Sequence, residues 1–240
     1  MSCNAKKIPL TKINSLLKIL KSRKYVVYNQ PYQLNIIGVR NTNTQPDKFD
    51  DYIYIIYKDD RFKWIGYRFE ATTDPSTKYL ENLYNSKGTA ILPQGQYVDS
   101  WKLGYHRGKY KALVQNKSIC VYRDYDRSKN LTFDVDSKSC GLFGINIHRA
   151  KKGRADDGEG NTNTIGLYSA GCQVFQNSYC FDEFMKMAYK QRDLYGNKFS
   201  YTLFDLSLQR KFFIKRSLFG LTVLGGLSLI GYGIYKLNKK

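Results

Sequence analysis

The sequence predicts a mainly β protein, a strand-dense sandwich or barrel with one or two helices, preceded by a basic amphipathic helix and followed by a membrane-spanning helix. Three observations carry that expectation. Short β-branched and aromatic runs recur at close spacing through the middle of the chain, bounded by turn residues. Both ends are basic and apolar, with no acidic residue in 1–30 or in 209–240. A chain of 240 residues is also long enough for one domain with a sizeable core plus appendages. The expected organisation is a segment 1–30, a body 31–208 and a C-terminal piece 209–240.

Leu10, Ile13, Leu17 and Leu20 recur at helical spacing with Lys12, Lys18 and Lys21 on the rest of the wheel, so residues 10–22 are predicted to be helical. Such a helix docks on the domain or, alternatively, lies on a membrane surface. The lysines interrupt the apolar run, so it is not read as a secretory signal. From Tyr32 the pattern shifts to QLNIIGVR, YIYIIYK and FKWIGYRFEATT, with Asp59-Asp60 turning a hairpin between the second and third. Further strands are expected at GQYVDSWKLGYHRGKYKALVQ, SICVYRD, LTFDVD and GLFGINIH, mostly antiparallel. FDEFMKMAYKQRDLYG reads as a helix beginning near Asp182 and stopped by Gly196, and KFSYTLFDL as a last strand. Ser217 to Tyr235 carries no charge and is flanked by RKFFIKR and KLNKK. Its helical length is roughly 28 Å, which fits one transmembrane span, a single-pass C-terminal anchor.

The formal charge of +19 is concentrated at the ends. Residues 1–30 and 209–240 hold seven Lys/Arg each, and the rest sets 25 basic against 20 acidic residues. That distribution suits an anionic membrane surface better than a nucleic-acid groove, and no nucleic-acid partner is expected. Lys, Asn, Tyr and Ile are abundant, as in an AT-rich genome such as a bacteriophage's. Five cysteines without a CxxC argue against a metal site, and no cofactor is expected. Their odd number suggests free thiols and a reducing compartment, with Cys120 and Cys140 the pair to bridge if any does.

The chemistry centres on FGINIHR and GLYSAGCQVF. A thiol is a useful nucleophile only when a neighbour lowers its pKa or takes its proton, and imidazole is the usual partner. His148 and Cys172 are candidates for that pair. The other histidine, His106 in GYHRGKY, stands in no motif and is not assigned to the site. The polar run 151–164 is expected to form a lid over the cleft.

A histidine ending a strand, then Ser169-Ala170-Gly171-Cys172, with Pro93-Gln94-Gly95-Gln96-Tyr97 upstream, resembles the L,D-transpeptidase catalytic domain, the YkuD fold, over roughly residues 32–206. Histidine before cysteine sets this apart from papain-like and NlpC/P60 peptidases. The resemblance implies acyl transfer on peptidoglycan stem peptides through a Cys172 thioester, with His148 as base. Oxyanion donors would be the backbone at Gly171 and Cys172, and Ser169 would orient the site. Arg149, Tyr168, Ala170 and Gln173 would face the substrate. Ala170 replaces a frequent histidine, Gln173 and Val174 replace the usual aliphatic residue and Arg or Asn, and Arg149 replaces a glycine and is a substitute source of charge. An idle cell-wall-binding or virion structural module with the same fold is the alternative.

Overall fold

Strand patterns and turn residues decide the architecture together. In the computed structural model, which describes residues 3, 5–42, 46–150 and 163–205, the elements are, in order, β1 (Lys6–Lys7), α1 (Leu10–Ser22), β2 (Asn35–Arg40), β3 (Asp51–Lys58) and β4 (Trp64–Thr72). There follow α2 (Thr77–Glu81), β5 (Thr89–Ile91), β6 (Gly95–His106), β7 (Tyr110–Gln115), β8 (Ile119–Asp124) and β9 (Ser139–Gly141). The last are β10 (Ile147–Arg149), β11 (Gln173–Phe175), α3 (Ser178–Tyr195) and β12 (Phe199–Asp205). The expected membrane span and most of the expected lid lie outside the described residues. Among the described residues no helix is long and apolar enough to cross a membrane.

The main sheet runs β4-β11-β10-β7-β6-β12-β2-β3, and β3 pairs back onto β4, so eight strands close on themselves while β1 adds to β4. Closure leaves those strands no free edge. The sheet is mixed, since β10 with β11 and β12 with β2 are parallel pairs. The β3–β4 hairpin turns where expected: Asp59 Oδ1 accepts the N–H groups of Arg61 (3.0 Å) and Lys63 (2.8 Å). A second, three-stranded sheet runs β5-β8-β9. LTFDVD, expected as a strand, is not one. Its Leu131 is buried beside Leu80 and Ile91, and Asp134 caps a 3-10 turn at Val135–Ser137.

α3 starts earlier than the Asp182 start expected from sequence, because Asn177 Oδ1 caps it by accepting from Tyr179 N (2.9 Å) and Cys180 N (3.2 Å). Its Phe181, Phe184 and Met185 share one core with Ile53, Phe69, Trp101, Phe175 and Tyr201 from the closed sheet. α1 buries Ile13, Leu16, Leu17, Ile19 and Leu20, and packs against β4, where a side chain at Gly66 would collide with Ile8 and Ile13. The apolar face that a membrane surface would need is therefore occupied by the domain.

Four cysteines are paired: Cys120 with Cys140, the pair the sequence singled out, and Cys3 with Cys180, which runs against the expectation of free thiols. The antiparallel register sets Cys120 opposite Cys140, and folding brings Cys3 to α3 across 177 residues of sequence. Cys172 is the remaining, free cysteine.

A buried ionic cluster joins β2 to β3 and to the residues after β4. Arg40 donates from Nη1 to Leu92 O (3.0 Å), from Nη2 to Thr73 O (2.8 Å) and from Nε to Thr73 Oγ1 (3.0 Å). Asp74 Oδ1 lies 2.7 Å from the same Nε, but that N–H is directed at Thr73, so the pair is a charge contact without an aligned hydrogen bond. Asp51 accepts from Asn41 N (2.6 Å) and from Thr73 N and Oγ1 (both 2.7 Å). Burial first, and Asp74 next, push the Asp51 carboxyl up to about 8.

Candidate active site

Parallel pairing of β10 with β11 puts the two ends of the motif side by side. Ile147 pairs with Gln173 and His148 with Val174, and Gln173 N donates to Asn146 O (2.9 Å), so Cys172 enters β11 beside Asn146. The turn before it needs glycine. Gly171 has φ +118°, and a Cβ there would run into the carbonyl oxygen of Ala90. Ser169 is fully buried; its hydroxyl donates to Cys172 O (2.9 Å) and accepts Gly171 N–H (3.2 Å). Ser169 thus shapes the turn, and Gly171 N–H is committed to it instead of pointing at an oxyanion.

Cys172 is partly exposed on a cavity of about 410 Å3. Its Sγ accepts Asn146 N–H (3.4 Å) and donates to Gly144 O (3.5 Å). Burial of the thiol group pushes its pKa up to about 11, against the opposing pull of the Asn146 N–H.

His148 is 2% exposed. Its Nδ1 lies 2.8 Å from Arg149 O and 3.1 Å from the Tyr110 hydroxyl, which itself donates to Arg149 O (3.1 Å). A carbonyl only accepts, so Nδ1 carries the proton and Nε2 keeps its lone pair. That Nε2 is buried and has no hydrogen-bond partner among the described residues. Burial, then the neighbouring His106, hold the imidazole down to about 3, so it is neutral at physiological pH.

His106, at the end of β6, stacks on His148 with ring centroids 4.0 Å apart. Burial, then Arg107, lower its pKa to about 4. Its tautomer is set by a relay. Gln115 N–H, which only donates, bonds Asn146 Oδ1 (3.0 Å), so the Asn146 amide turns its NH2 to His106 Nδ1 (3.0 Å). Nδ1 is then the acceptor and the proton sits on Nε2. Gln115 also fixes the wall carrying Gly144 and Asn146: Oε1 accepts from Phe143 N (2.9 Å) and Ile145 N (3.1 Å), and Nε2 donates to Gly141 O (2.8 Å). Trp101 Nε1 adds a bond to Ile145 O (2.7 Å).

The structure sorts the expected site residues. Cys172, Tyr168 and Ala170 line one cavity, His148 lies behind it against His106, and Ser169 and Gly171 form the turn. Gln173 does not face that cavity. It is fully buried, accepts the Tyr201 hydroxyl (2.7 Å) and donates to Gly171 O (3.3 Å). Arg149 lies over the Tyr110 ring (4.1 Å to its centroid) and lines a separate cavity with Asp182 and Lys186. Neighbours along a strand point to opposite faces, which carries both side chains away from the thiol. Tyr97 of the PxGxY segment donates to Pro93 O (2.6 Å) and packs edge-on to Trp101 as part of the core.

Residues that motif reading left out complete the cavity: His106, Asn146, Arg107, Arg123, Tyr79 and Tyr84. Among the described residues the cavity is lined by two arginines and no carboxylate. Only the rarity of histidine in the chain pointed to His106, because no spacing links it to the motif. No family model matches the chain, and no curated protein matches it.

Proposed function

We propose that the protein is a cysteine acyltransferase or hydrolase of the L,D-transpeptidase type, acting on peptidoglycan stem peptides. The observation that carries this reading is a disulfide-free thiol on a cavity, entering the strand that pairs with the one bearing a buried neutral imidazole whose Nε2 has no partner among the described residues. In the reaction, the Cys172 side chain turns from Gly144 O and gives its proton to His148 Nε2. Sγ bonds to the substrate carbonyl carbon while the carbonyl π pair moves to oxygen. Collapse expels the amine, which takes the proton from His148 and leaves a thioester. A second amine then gives a cross-link, and water gives hydrolysis. With Gly171 N–H engaged, Cys172 N–H is the backbone donor to the oxyanion.

With the thiol and the imidazole both neutral there is no preformed ion pair, and the scheme requires the proton to move as substrate binds. The two disulfides favour an oxidising compartment. Together with the charge-free run Ser217–Tyr235, they support a membrane-anchored domain on the side where peptidoglycan is mature. Incubating the full-length protein with purified muropeptides tests the reading. Wild type is expected to shorten or cross-link stem peptides and Cys172→Ala to leave them unchanged; equal turnover by both would end the assignment.

The engaged Sγ and its raised pKa favour a second reading, an idle wall-binding module. Stoichiometric acylation of Cys172 by a thiol-reactive carbapenem would exclude it.

A further inference from the structure

The geometry points to His106 as a catalytic residue, a neutral imidazole whose Nε2–H donates a hydrogen bond to the carbonyl oxygen of the acyl donor as Cys172 attacks. This role rests on the acyl-transfer reading and adds to it a group that no motif contains.

Three observations converge. His106 and Cys172 line the same cavity. The Gln115–Asn146 relay fixes His106 with Nδ1 as acceptor, so the remaining ring nitrogen is an N–H donor. One of the two backbone donors expected for an oxyanion, Gly171 N–H, is taken by Ser169 Oγ, which leaves the oxyanion in need of another partner.

The stacked histidines hold opposite tautomers, His148 with its lone pair on Nε2 and His106 with its proton there. The first accepts the thiol proton and the second supports the oxygen, so neither has to do both. A lowered pKa suits a donor of this kind, since an imidazole that stays neutral offers its N–H at any physiological pH without having to be charged first. Asn146 is then a positioning residue that ties both partners together: its backbone N–H meets Sγ and its side chain sets the imidazole.

The test separates attack that creates an oxyanion from attack that does not. Alkylation by iodoacetamide displaces iodide at a saturated carbon, whereas acylation by a carbapenem opens a carbonyl. For the full-length protein, His106→Phe is expected to be alkylated at Cys172 within about twofold of the wild-type rate and acylated roughly 10²–10³-fold more slowly. His106→Gln, which keeps an N–H donor, should recover acylation to within about tenfold of wild type. Asn146→Leu, which removes the amide that holds His106 Nδ1 as an acceptor without adding charge beside the thiol, should slow acylation and spare alkylation. It also decides the matter if His106→Phe fails to fold, as judged by its thermal transition. Acylation of His106→Phe at the wild-type rate would overturn the role. Parallel loss of alkylation and acylation would overturn it too, by showing that His106 acts on the thiol. Wild-type protein that is alkylated but never acylated would remove the acyl-transfer reading itself, and the role with it.

Discussion

The protein buries two polar clusters on opposite principles. Around Arg40 the guanidinium makes three hydrogen bonds and a charge contact, and Asp51 accepts three, so the polar groups are held by partners that brace β2, β3 and the residues after β4. Around Cys172 the thiol and both imidazoles are neutral, and one buried acceptor, His148 Nε2, has no partner among the described residues. A buried polar group without a partner costs stability. The contrast separates a cluster that holds the fold from one that keeps a lone pair available.

The largest expected effect lies in the second cluster. His148→Gln should lower muropeptide turnover by roughly 10²–10⁴, because it removes the proton acceptor, with a stability loss limited to the Nδ1 bond to Arg149 O and the stack on His106. Arg40→Met should do the reverse. It strands Asp51 and Asp74 and should cost roughly 3–5 kcal/mol in denaturant unfolding, and a transition unchanged from wild type would show that the ionic cluster is not a brace. Gly171→Ala joins the two measures. Its left-handed φ and the approach of Ala90 O should cost roughly 1–3 kcal/mol and displace the thiol, so activity and stability should fall together.

The smallest effect is the pH profile. Asp51, raised to about 8, keeps its proton in the folded state after the unfolded chain has released it near pH 4, so its contribution falls as pH rises from about 4 to 8. His148 and His106, held to about 3 and 4, stay neutral while the unfolded chain binds protons below about pH 6.5. Their contribution falls as pH drops through that window. The carboxyl and the histidines act in opposite directions, each by up to about 1.4 kcal/mol per pH unit, and above the unfolded histidine value the downward slope of Asp51 remains, joined by that of Asp74, whose carboxyl is also raised by burial. Asp51→Asn should flatten the alkaline limb of Tm against pH, and a limb unchanged by that substitution would assign the slope elsewhere.

The strands of the closed sheet were legible because β-branched and aromatic residues mark them and turn residues bound them, as in YIYIIYK and KFSYTLFDL. The parallel pairs β10–β11 and β12–β2 were not, since a local pattern is silent on which distant strand lies alongside. LTFDVD misled because its alternation matches a strand, while Leu131 packs against Leu80 of α2 and Ile91 of β5 without joining a sheet. At the site, order along the chain pointed to His148 and Cys172, and the parallel β10–β11 pair sets the two motif ends side by side. It failed for Gln173 and Arg149, where nearness in sequence stood in for nearness in space although strand alternation sends adjacent side chains apart. His106 and Gln115 come from the β6–β7 hairpin, and only the folded register brings them to the motif.

The bond between Cys3 and Cys180 makes most of this domain a covalent ring. Tying residues 177 apart in sequence restricts the unfolded chain by roughly 5 kcal/mol at 25 °C in the chain-entropy model. A ring also changes what one cut can do. Cleavage of any single peptide bond between the two cysteines opens the loop without releasing a fragment, so a nicked protein keeps His148 and Cys172 in one covalent body until it is reduced. A protein exposed to proteases would thereby tolerate a break that would sever a linear chain.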